Sequence, residues 1–173
     1  MPGAPARLLL EGRPGAGKTT AVARVVELVR ADGRSVTGFL ARELRERGER
    51  VGFELETLDG QRGMLAHVRV RGPHVGRYGV ALDDLERLAI PAMHADADVV
   101  VVDELGKIEL ASPAFRDAVS ALFERSVAVV ATVHAHHHPF TDELKGRPCV
   151  EVLRLTRSNR NELPSTIASR LRG

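Results

Sequence analysis

Residues 12–20 read GRPGAGKTT and directly follow the apolar run Leu8-Leu9-Leu10. The stretch fits G-x-x-x-x-G-K-[ST], the pattern of a loop that encloses the phosphates of a nucleoside triphosphate. Its glycines permit a tight turn whose backbone N–H groups point towards an anion. A following helix adds the positive end of its dipole. The stretch therefore predicts a strand, a phosphate loop and a helix, in that order.

Two side chains in this loop have predicted roles. Lys18 is a candidate catalytic residue because its ammonium group can reach the β- and γ-phosphates. The hydroxyl of Thr19 is a candidate Mg²⁺ ligand. The alternative, a glycine turn before an ordinary helix, is disfavoured because strand and helix patterns flank the loop. The predicted nucleotide-binding residues here are Gly12, Arg13, Pro14, Gly15, Ala16, Gly17, Lys18, Thr19 and Thr20.

A second stretch, Val99 to Glu104, reads VVVVDE. A continuous β-branched run is typical of a central parallel strand buried on both faces, and the carboxyl ends of such strands face the ligand crevice. We therefore expect Asp103 to act on Mg²⁺ through its water shell. Glu104 is the candidate group that orients or deprotonates the attacking water. A surface Asp-Glu pair at a strand end is the alternative, and Lys107 either contacts a phosphate or is a solvated loop charge.

The rest of the chain alternates strands with helices, which predicts an α/β fold. We expect one domain, residues 1–173, with a three-layer, mostly parallel sheet, helices on both faces and an antiparallel hairpin insertion around 36–58. Gly and Pro predict a loop over 72–79, and Pro91 is expected to break or kink a helix. The predicted strands are 6–11, 36–44, 50–58, 64–70, 98–102, 127–133 and 150–155, and the predicted helices are 18–31, 81–95, one from Pro113 and 163–172.

Further polar residues raise weaker hypotheses. Thr132 or His134, at the end of strand 127–133, could contact the γ-phosphate or the attacking water, although a structural polar group is the favoured interpretation. The histidines from 134 to 138 suggest a metal, but they point in divergent directions and no cysteine pattern accompanies them, so a solvated loop is expected. Transition-state charge in phosphoryl transfer often meets an arginine. The candidates, among which the sequence does not choose, are Arg13, Arg42, Arg45, Arg47, Arg50 and Arg77.

Composition limits the classes of protein to which the chain can belong. A net charge of +2 does not suit a strongly basic nucleic-acid binder. No signal peptide or membrane-length run is present, so we expect a cytoplasmic monomer without membrane or nucleic-acid partners. The single cysteine, Cys149, excludes an internal disulfide and a multi-cysteine metal site. Its apolar surroundings predict a buried, inert thiol.

Five stretches resemble one family, the nucleoside-triphosphatases first described in thermophiles, which has a cancer-related human relative. They come in the family's order and cover nearly the whole chain. The stretch DELGKIEL (103–110) is close to diagnostic, whereas the phosphate loop is shared by many families. The five are 12–20; 37–39 through 43–45, with 50–54; 75–80; 99–110; and Thr156 with Asn159-Arg160.

The resemblance implies a RecA-like phosphate-loop domain. It also implies Mg²⁺-dependent hydrolysis of ATP and other nucleoside triphosphates to diphosphate and phosphate, with loose base selectivity. The nucleotide contacts that it carries over beyond the first loop are Val102, Asp103, Glu104, Leu105, Gly106, Lys107, Ile108, Glu109, Asn159 and Arg160.

A nucleoside or nucleotide kinase is the main alternative. It would use the same loop with an acceptor pocket and an arginine-rich lid, for which the hairpin around Arg42–Arg50 could be mistaken. Glu104 beside the Mg²⁺ carboxylate fits water activation better. A dedicated GTPase is disfavoured because the guanine-reading tetrapeptide Asn-Lys-x-Asp is absent. A dinucleotide-binding fold is disfavoured because the glycines are spaced G-x-x-G-x-G instead of G-x-G-x-x-G.

Overall fold

Residues 3–172, described here from a computed structural model, form one nine-stranded sheet with helices on both faces. The strand order across the sheet is β5-β6-β4-β3-β2-β7-β8-β1-β9. The strands are β1 (Arg7–Gly12), β2 (Val36–Glu46), β3 (Glu49–Thr57), β4 (Arg62–His67), β5 (His74–Val75), β6 (Tyr78–Val80), β7 (Val99–Leu105), β8 (Ala128–His134) and β9 (Val150–Arg154). The helices are α1 (Lys18–Ala31), α2 (Leu82–His94), α3 (Pro113–Glu124), α4 (Pro139–Lys145) and α5 (Leu163–Arg170), with a 3₁₀ turn at Glu109–Ala111.

The five strands β2, β7, β8, β1 and β9 pair in parallel. Their apolar runs lie between helices, so both faces of the central strands are buried. Strand β2 pairs with β7 only over Val36–Phe39. At Gly38, which has φ 120°, a side chain would overlap the carbonyl of Val101, so only glycine permits this close approach. The parallel strands place all their carboxyl ends at one edge of the sheet.

The outer half of β2 continues into antiparallel strands. It pairs with β3, which pairs with β4, and β4 pairs with β6, which pairs with β5. The hairpin predicted around 36–58 is confirmed, and its turn consists of Arg47 (φ 51°) and Gly48 (φ 84°). Two positive φ angles are typical of the type I′ turn that matches strand twist. We call residues 40–80 the antiparallel extension and the remaining described residues the parallel half.

Two apolar cores separate the layers. One core joins the sheet to α2 and α3, with Phe39, Leu85 and Phe115 among its fully buried members. The other joins it to α1 and α5, through Val25 and Ile167 among others. Burial of these apolar side chains is the main stabilising contribution, and it predicts the alternation seen along β1, where neighbouring leucines enter opposite cores.

Three sequence predictions differ from the structure. The loop predicted at 72–79 contains β5 and β6, because the glycines and proline there bound a short hairpin instead of preventing one. Pro91 lies inside α2, which continues to His94, so the predicted break does not occur and a kink stays a prediction; the carbonyl that Pro91 leaves unpaired belongs to Arg87, an exposed residue. Cys149 is exposed; it directly precedes the edge strand β9. None of the helices in residues 3–172 has the length and apolarity that crossing a bilayer requires.

Candidate active site

The loop between β1 and α1 has the conformation that its glycines allow. Gly15 has φ 76° and Gly17 has φ 97°, both in the left-handed region that other residues avoid. Gly17 is also the N-cap of α1, and no side chain caps that helix. The first-turn N–H groups of α1 are therefore directed at the loop, where they can donate hydrogen bonds to an anion.

Lys18 is the first residue of α1, and it is buried. Its Nζ donates to the carbonyl of Gly12 at 2.7 Å and forms an ion pair with Glu104 Oε2 at 3.1 Å. A side chain at Gly12 would press on the Lys18 stem, at 3.2 Å from Cγ. The glycine thus leaves room for the lysine to fold back over the loop.

Asp103 connects three elements at the carboxyl edge of the sheet. Thr19 Oγ1 donates to its Oδ2 at 2.8 Å, and Thr132 Oγ1 donates to its Oδ1 at 2.6 Å. The backbone N–H of Ala41 lies 3.4 Å from Oδ2. The structure therefore brings Thr19 and Asp103 together, as predicted, and assigns Thr132 a structural contact. Sequence reasoning missed Ala41, whose backbone carries no residue-type signal.

The carboxyl of Asp103 is almost completely buried, at 1% exposure. Burial raises its pKa to about 6, against the lowering effect of the Thr132 and Thr19 hydrogen bonds; the nearby Glu104 raises it further. The three groups that donate to it are neutral. An oxygen-only donor set of a carboxylate and a hydroxyl fits Mg²⁺, and a divalent cation would compensate the buried charge. The residues present therefore fit the predicted metal.

Glu104 and Glu109 crowd the same side of Gly106. A side chain on Gly106 would lie 2.9 Å from Glu109 Oε2 and 3.0 Å from Glu104 Oε1, so one or both carboxylates would have to shift to admit it. Glu109 is buried and accepts from the N–H of Gly106 at 3.2 Å. Burial, followed by the charge of Glu104, raises the pKa of Glu109 to about 8. Glu109 is therefore mainly protonated at neutral pH, whereas the Glu104 side chain is 31% exposed and pairs with Lys18.

An ion-pair cluster lies beside the start of the loop. Glu11 pairs with Lys145 of α4 at 2.7 Å and with Arg154 of β9 at 3.3 Å. The hydrogen bond from Lys145 is the largest influence that lowers the pKa of Glu11, and Lys145 also donates to the carbonyl of His134. Sequence reasoning missed this cluster, because Glu11 is more than a hundred residues from Lys145 and Arg154 and the three form no local pattern.

A cavity of about 660 Å³ opens beside the loop, between β1 and the segment that follows β9. Its walls combine the first half of the loop with a second arginine-containing segment. The lining residues are Glu11, Gly12, Arg13, Pro14, Gly15, Ala16, Ala135, Arg154, Leu155, Thr156 and Arg157. Among the finger candidates, Arg13 lies at this cavity.

Several other predicted contact residues do not line this cavity. Asn159 uses its side chain within its own loop, where it accepts from the N–H of Thr156 and donates to the carbonyl of Arg154, both at 2.8 Å. Asn159 and Arg160 do not line the cavity, Thr20 and Lys107 are exposed, and Ile108 is half-buried. The side chains of Val102 and Leu105 belong to the core. For all seven residues, nucleotide contact stays a prediction.

Three arginines of the hairpin, Arg42, Arg45 and Arg50, are engaged in ion pairs on the antiparallel extension. Arg42 pairs with Glu56 at 3.3 Å, and Arg45 and Arg50 pair with Glu43 at 3.0 and 3.2 Å. Arg77 donates to the carbonyl of Arg50 and lies over the ring of Tyr78, and Arg47 occupies the turn. The hairpin projects past the carboxyl edge of the sheet next to Ala41, so it stands beside the site. Its Arg45 and Arg50 are already paired with Glu43.

The four histidines have separate surroundings. His138 caps α4 through Nδ1, which accepts from the N–H of Phe140. His137 is fully exposed and lies 3.4 Å from Asp142. The rings of His134 and His136 lie 4.9 Å apart. Within residues 3–172, no three His, Cys, Asp or Glu side chains are grouped in a way that could hold a metal ion.

Comparisons with known proteins agree with this geometry. A family model described as NTPase matches residues 7–168. The nucleoside-triphosphatase THEP1 of Thermotoga sp. (strain RQ2) is 38% identical over 170 residues, which cover 96% of this chain and 95% of that protein. The protein of the same name from Methanopyrus kandleri is 43% identical over 168 residues, or 94% and 93% of the two chains.

Two solved structures share the fold. The crystal structure of THEP1 from the hyperthermophile Aquifex aeolicus superposes with a TM-score of 0.84 and 31% identity, covering 96% of this chain and 99% of that one. The solution structure of a human cancer-related nucleoside triphosphatase gives a TM-score of 0.82 at 34% identity, with 95% and 96% covered. The family match over most of the chain and these relatives lead to one conclusion: the chain belongs to the NTPase family.

Proposed function

We propose that this protein hydrolyses nucleoside 5′-triphosphates, in a Mg²⁺-dependent reaction and with broad base selectivity, to nucleoside diphosphate and phosphate. One observation carries the proposal. Lys18 and Thr19 of the phosphate loop meet Glu104 and Asp103 at the carboxyl edge of the sheet, within 3.1 and 2.8 Å. The candidate phosphate binder, the candidate metal ligands and the candidate base thus lie next to one another, which supports the proposal.

The loop binds the phosphates in this proposal. Backbone N–H groups of residues 15–19 and the end of α1 donate to phosphate oxygens. The ammonium group of Lys18 exchanges its contacts with Gly12 and Glu104 for the β- and γ-phosphates, which carry more negative charge than one carboxylate. That exchange releases Glu104 to accept a proton.

Thr19 and Asp103 would hold Mg²⁺, through the hydroxyl and the carboxylate that already hydrogen-bond to each other. When bound, the ion neutralises charge on the β- and γ-phosphate oxygens. Thr132 and the N–H of Ala41 keep the Asp103 carboxylate oriented from two other strands. Asp103 is therefore preorganised, which is the property that electrostatic catalysis requires.

Glu104 acts as the general base. The oxygen of a water molecule bonds to the γ-phosphorus while the bond from that phosphorus to the β,γ-bridging oxygen breaks, and the electron pair leaves with the diphosphate. The proton of the water passes to the Glu104 carboxylate. Because the Glu104 side chain is 31% exposed, it can return the proton to solvent.

In this proposal the nucleobase of the substrate lies in the cavity beside the loop. Its guanidinium groups, on Arg13, Arg154 and Arg157, can stack on the face of any nucleobase. Among the lining residues of this cavity, Glu11 is the one with an acidic side chain, and it is already paired with Lys145 and Arg154. A wall without a free carboxylate favours loose selectivity over guanine recognition.

The test measures phosphate release and phosphate transfer together. Purified protein receives radiolabelled ATP, GTP, CTP or UTP, with Mg²⁺ or with EDTA, in the presence of a panel of nucleosides and nucleotides. We expect free phosphate equal to the diphosphate formed, only with Mg²⁺, from all four substrates. Labelled acceptors in excess of free phosphate would identify a kinase instead.

A further inference from the structure

His134 is a buried histidine whose two ring nitrogens have no hydrogen-bond partner among the residues that the structure describes. It is 5% exposed, and both Nδ1 and Nε2 are shielded. A neutral imidazole carries one N–H donor and one acceptor. Buried polar groups are nearly always paired, because leaving them unpaired costs free energy. Such a ring therefore points to a partner outside the chain.

The position of His134 identifies where that partner lies. It is the last residue of β8, in register with Gly12 of β1, and Val133 before it is in register with Leu105 of β7. Side chains two residues apart on a strand share a face, and Thr132 on that face reaches Asp103. The ring of His134 thus stands on the α1 side of the sheet, between the start of the phosphate loop and the end of β7.

The charged groups that act on the His134 ring include Glu104 and Lys18 of the candidate active site. Burial lowers the pKa of His134; Glu104 acts in the opposite direction, and His136, Lys18 and Lys145 lower it further. The ring is therefore neutral at neutral pH and keeps one N–H donor. Lys145 donates to the main-chain carbonyl at 3.2 Å, and the ring of His136 lies 4.9 Å away. Both contacts restrain the residue and leave its nitrogens unused.

We propose that a ring N–H of His134 donates a hydrogen bond to an oxygen of the γ-phosphate, so that this residue distinguishes nucleoside triphosphate from diphosphate. This role rests on the function proposed above. The neighbouring hydroxyls, Thr19 and Thr132, already donate to Asp103, whereas the His134 donor is free. A γ-phosphate bears only acceptor oxygens when fully ionised, and it is the group that the diphosphate lacks.

The test compares binding of a non-hydrolysable ATP analogue with binding of ADP, both with Mg²⁺, by calorimetry. His134→Ala removes both nitrogens, whereas His134→Gln and His134→Asn restore a donor near Nε2 and Nδ1. A hydrogen bond to a charged group predicts that His134→Ala weakens analogue binding about tenfold or more. ADP affinity stays within about twofold, and either Gln or Asn recovers part of the loss. His137→Gln, in the same loop but fully exposed, is the matched control.

A structural role would give another result. Equal changes in analogue and ADP affinity, or no change in either, would overturn the role of His134. If His134→Ala fails to fold, NMR of wild-type protein labelled with ¹⁵N-histidine is the deciding measurement. The ¹⁵N resonances of the His134 ring should shift when the analogue binds but not when ADP binds. The same shift with both would again overturn it. A wild-type chain that does not bind the analogue would refute the proposed function as well, whereas normal binding with an insensitive His134 refutes this inference alone.

Discussion

The parallel half and the antiparallel extension use charged residues in opposite ways. In the parallel half, Glu11, Lys18, Asp103 and Glu109 are all at most 8% exposed. In the extension, the side chains of Arg50, Arg62 and Arg69 are 43%, 61% and 73% exposed, and each lies in an ion pair on the surface. The pKa values of Glu11, Asp103 and Glu109 are shifted by burial and by neighbouring groups, whereas exposed ion pairs contribute about 1 kcal/mol or less to stability. The comparison teaches where a substitution should change chemistry and where it should change little.

The largest expected effect of breaking the parallel half comes from Lys18→Ala. Loss of the ammonium group removes the charge that meets the β- and γ-phosphates, and we expect kcat to fall by about 1,000-fold or more. Phosphate release from Mg-ATP measures it. Arg24→Ala, on the same helix and paired only with exposed Glu27, is the control. Turnover near the wild-type rate in Lys18→Ala would refute the site.

The second effect concerns the metal. Asp103→Asn should lower kcat by about 100-fold or more, because a neutral amide holds Mg²⁺ poorly. Mg²⁺ alone should raise the Tm of the wild type, since it compensates the buried carboxylate, and this increase should vanish in Asp103→Asn. Asp98 directly precedes β7, at the opposite, amino edge of the sheet. The variant Asp98→Asn is therefore the matched control. An equal Mg²⁺ response in wild type and Asp103→Asn would place the ion elsewhere.

A third effect is on stability and pH. Burial raises the pKa of Glu109 from 4.5 to about 8. A carboxyl whose pKa is raised on folding contributes stability that is complete below the unfolded pKa and is lost as the pH rises through the folded pKa. Glu109→Gln removes this pH dependence. Relative to the wild type, the free energy of unfolding of the variant should rise between pH 4.5 and 8, and above that range it should exceed the wild-type value by about 1 kcal/mol or more.

Urea unfolding at pH 5 and pH 8.5 measures the difference in free energy of unfolding. Glu124→Gln, whose side chain is 76% exposed, should show no comparable change between the two pH values. A Glu109→Gln variant that is less stable than the wild type at pH 8.5 would mean that the carboxylate has a stabilising partner.

The smallest effect sharpens the other side of the comparison. Arg62 of β4 pairs with Glu54 and Glu56 at 3.8 and 3.5 Å on the exposed face of the extension. Arg62→Ala should change the free energy of unfolding by less than about 1 kcal/mol and leave kcat within about twofold. A kcat change as large as that of Asp103→Asn would show that the extension takes part in the chemistry.

The sequence predicted what local pattern encodes. The loop at 12–20 and the run ending in Asp103-Glu104 are contiguous, and their strands and helices follow from apolar periodicity. Contacts between distant residues did not follow, because they depend on the order of strands in the sheet. Thr132 reaches Asp103 only because β8 lies beside β7, and Glu11 reaches Arg154 only because β9 pairs with β1. The exposure of Cys149, which directly precedes the edge strand β9, likewise did not follow from local pattern.

The most direct test of the account is a measurement on Glu104→Gln, which keeps the size of the side chain and removes the base. Single-turnover hydrolysis of Mg-ATP and binding of the non-hydrolysable analogue are measured on the same protein. The account predicts hydrolysis at least about 100-fold slower than in the wild type, with analogue affinity unchanged or higher because Lys18 no longer pairs with a carboxylate. Lost binding with near-normal hydrolysis of the bound substrate would contradict it and make Glu104 a structural or metal-binding group.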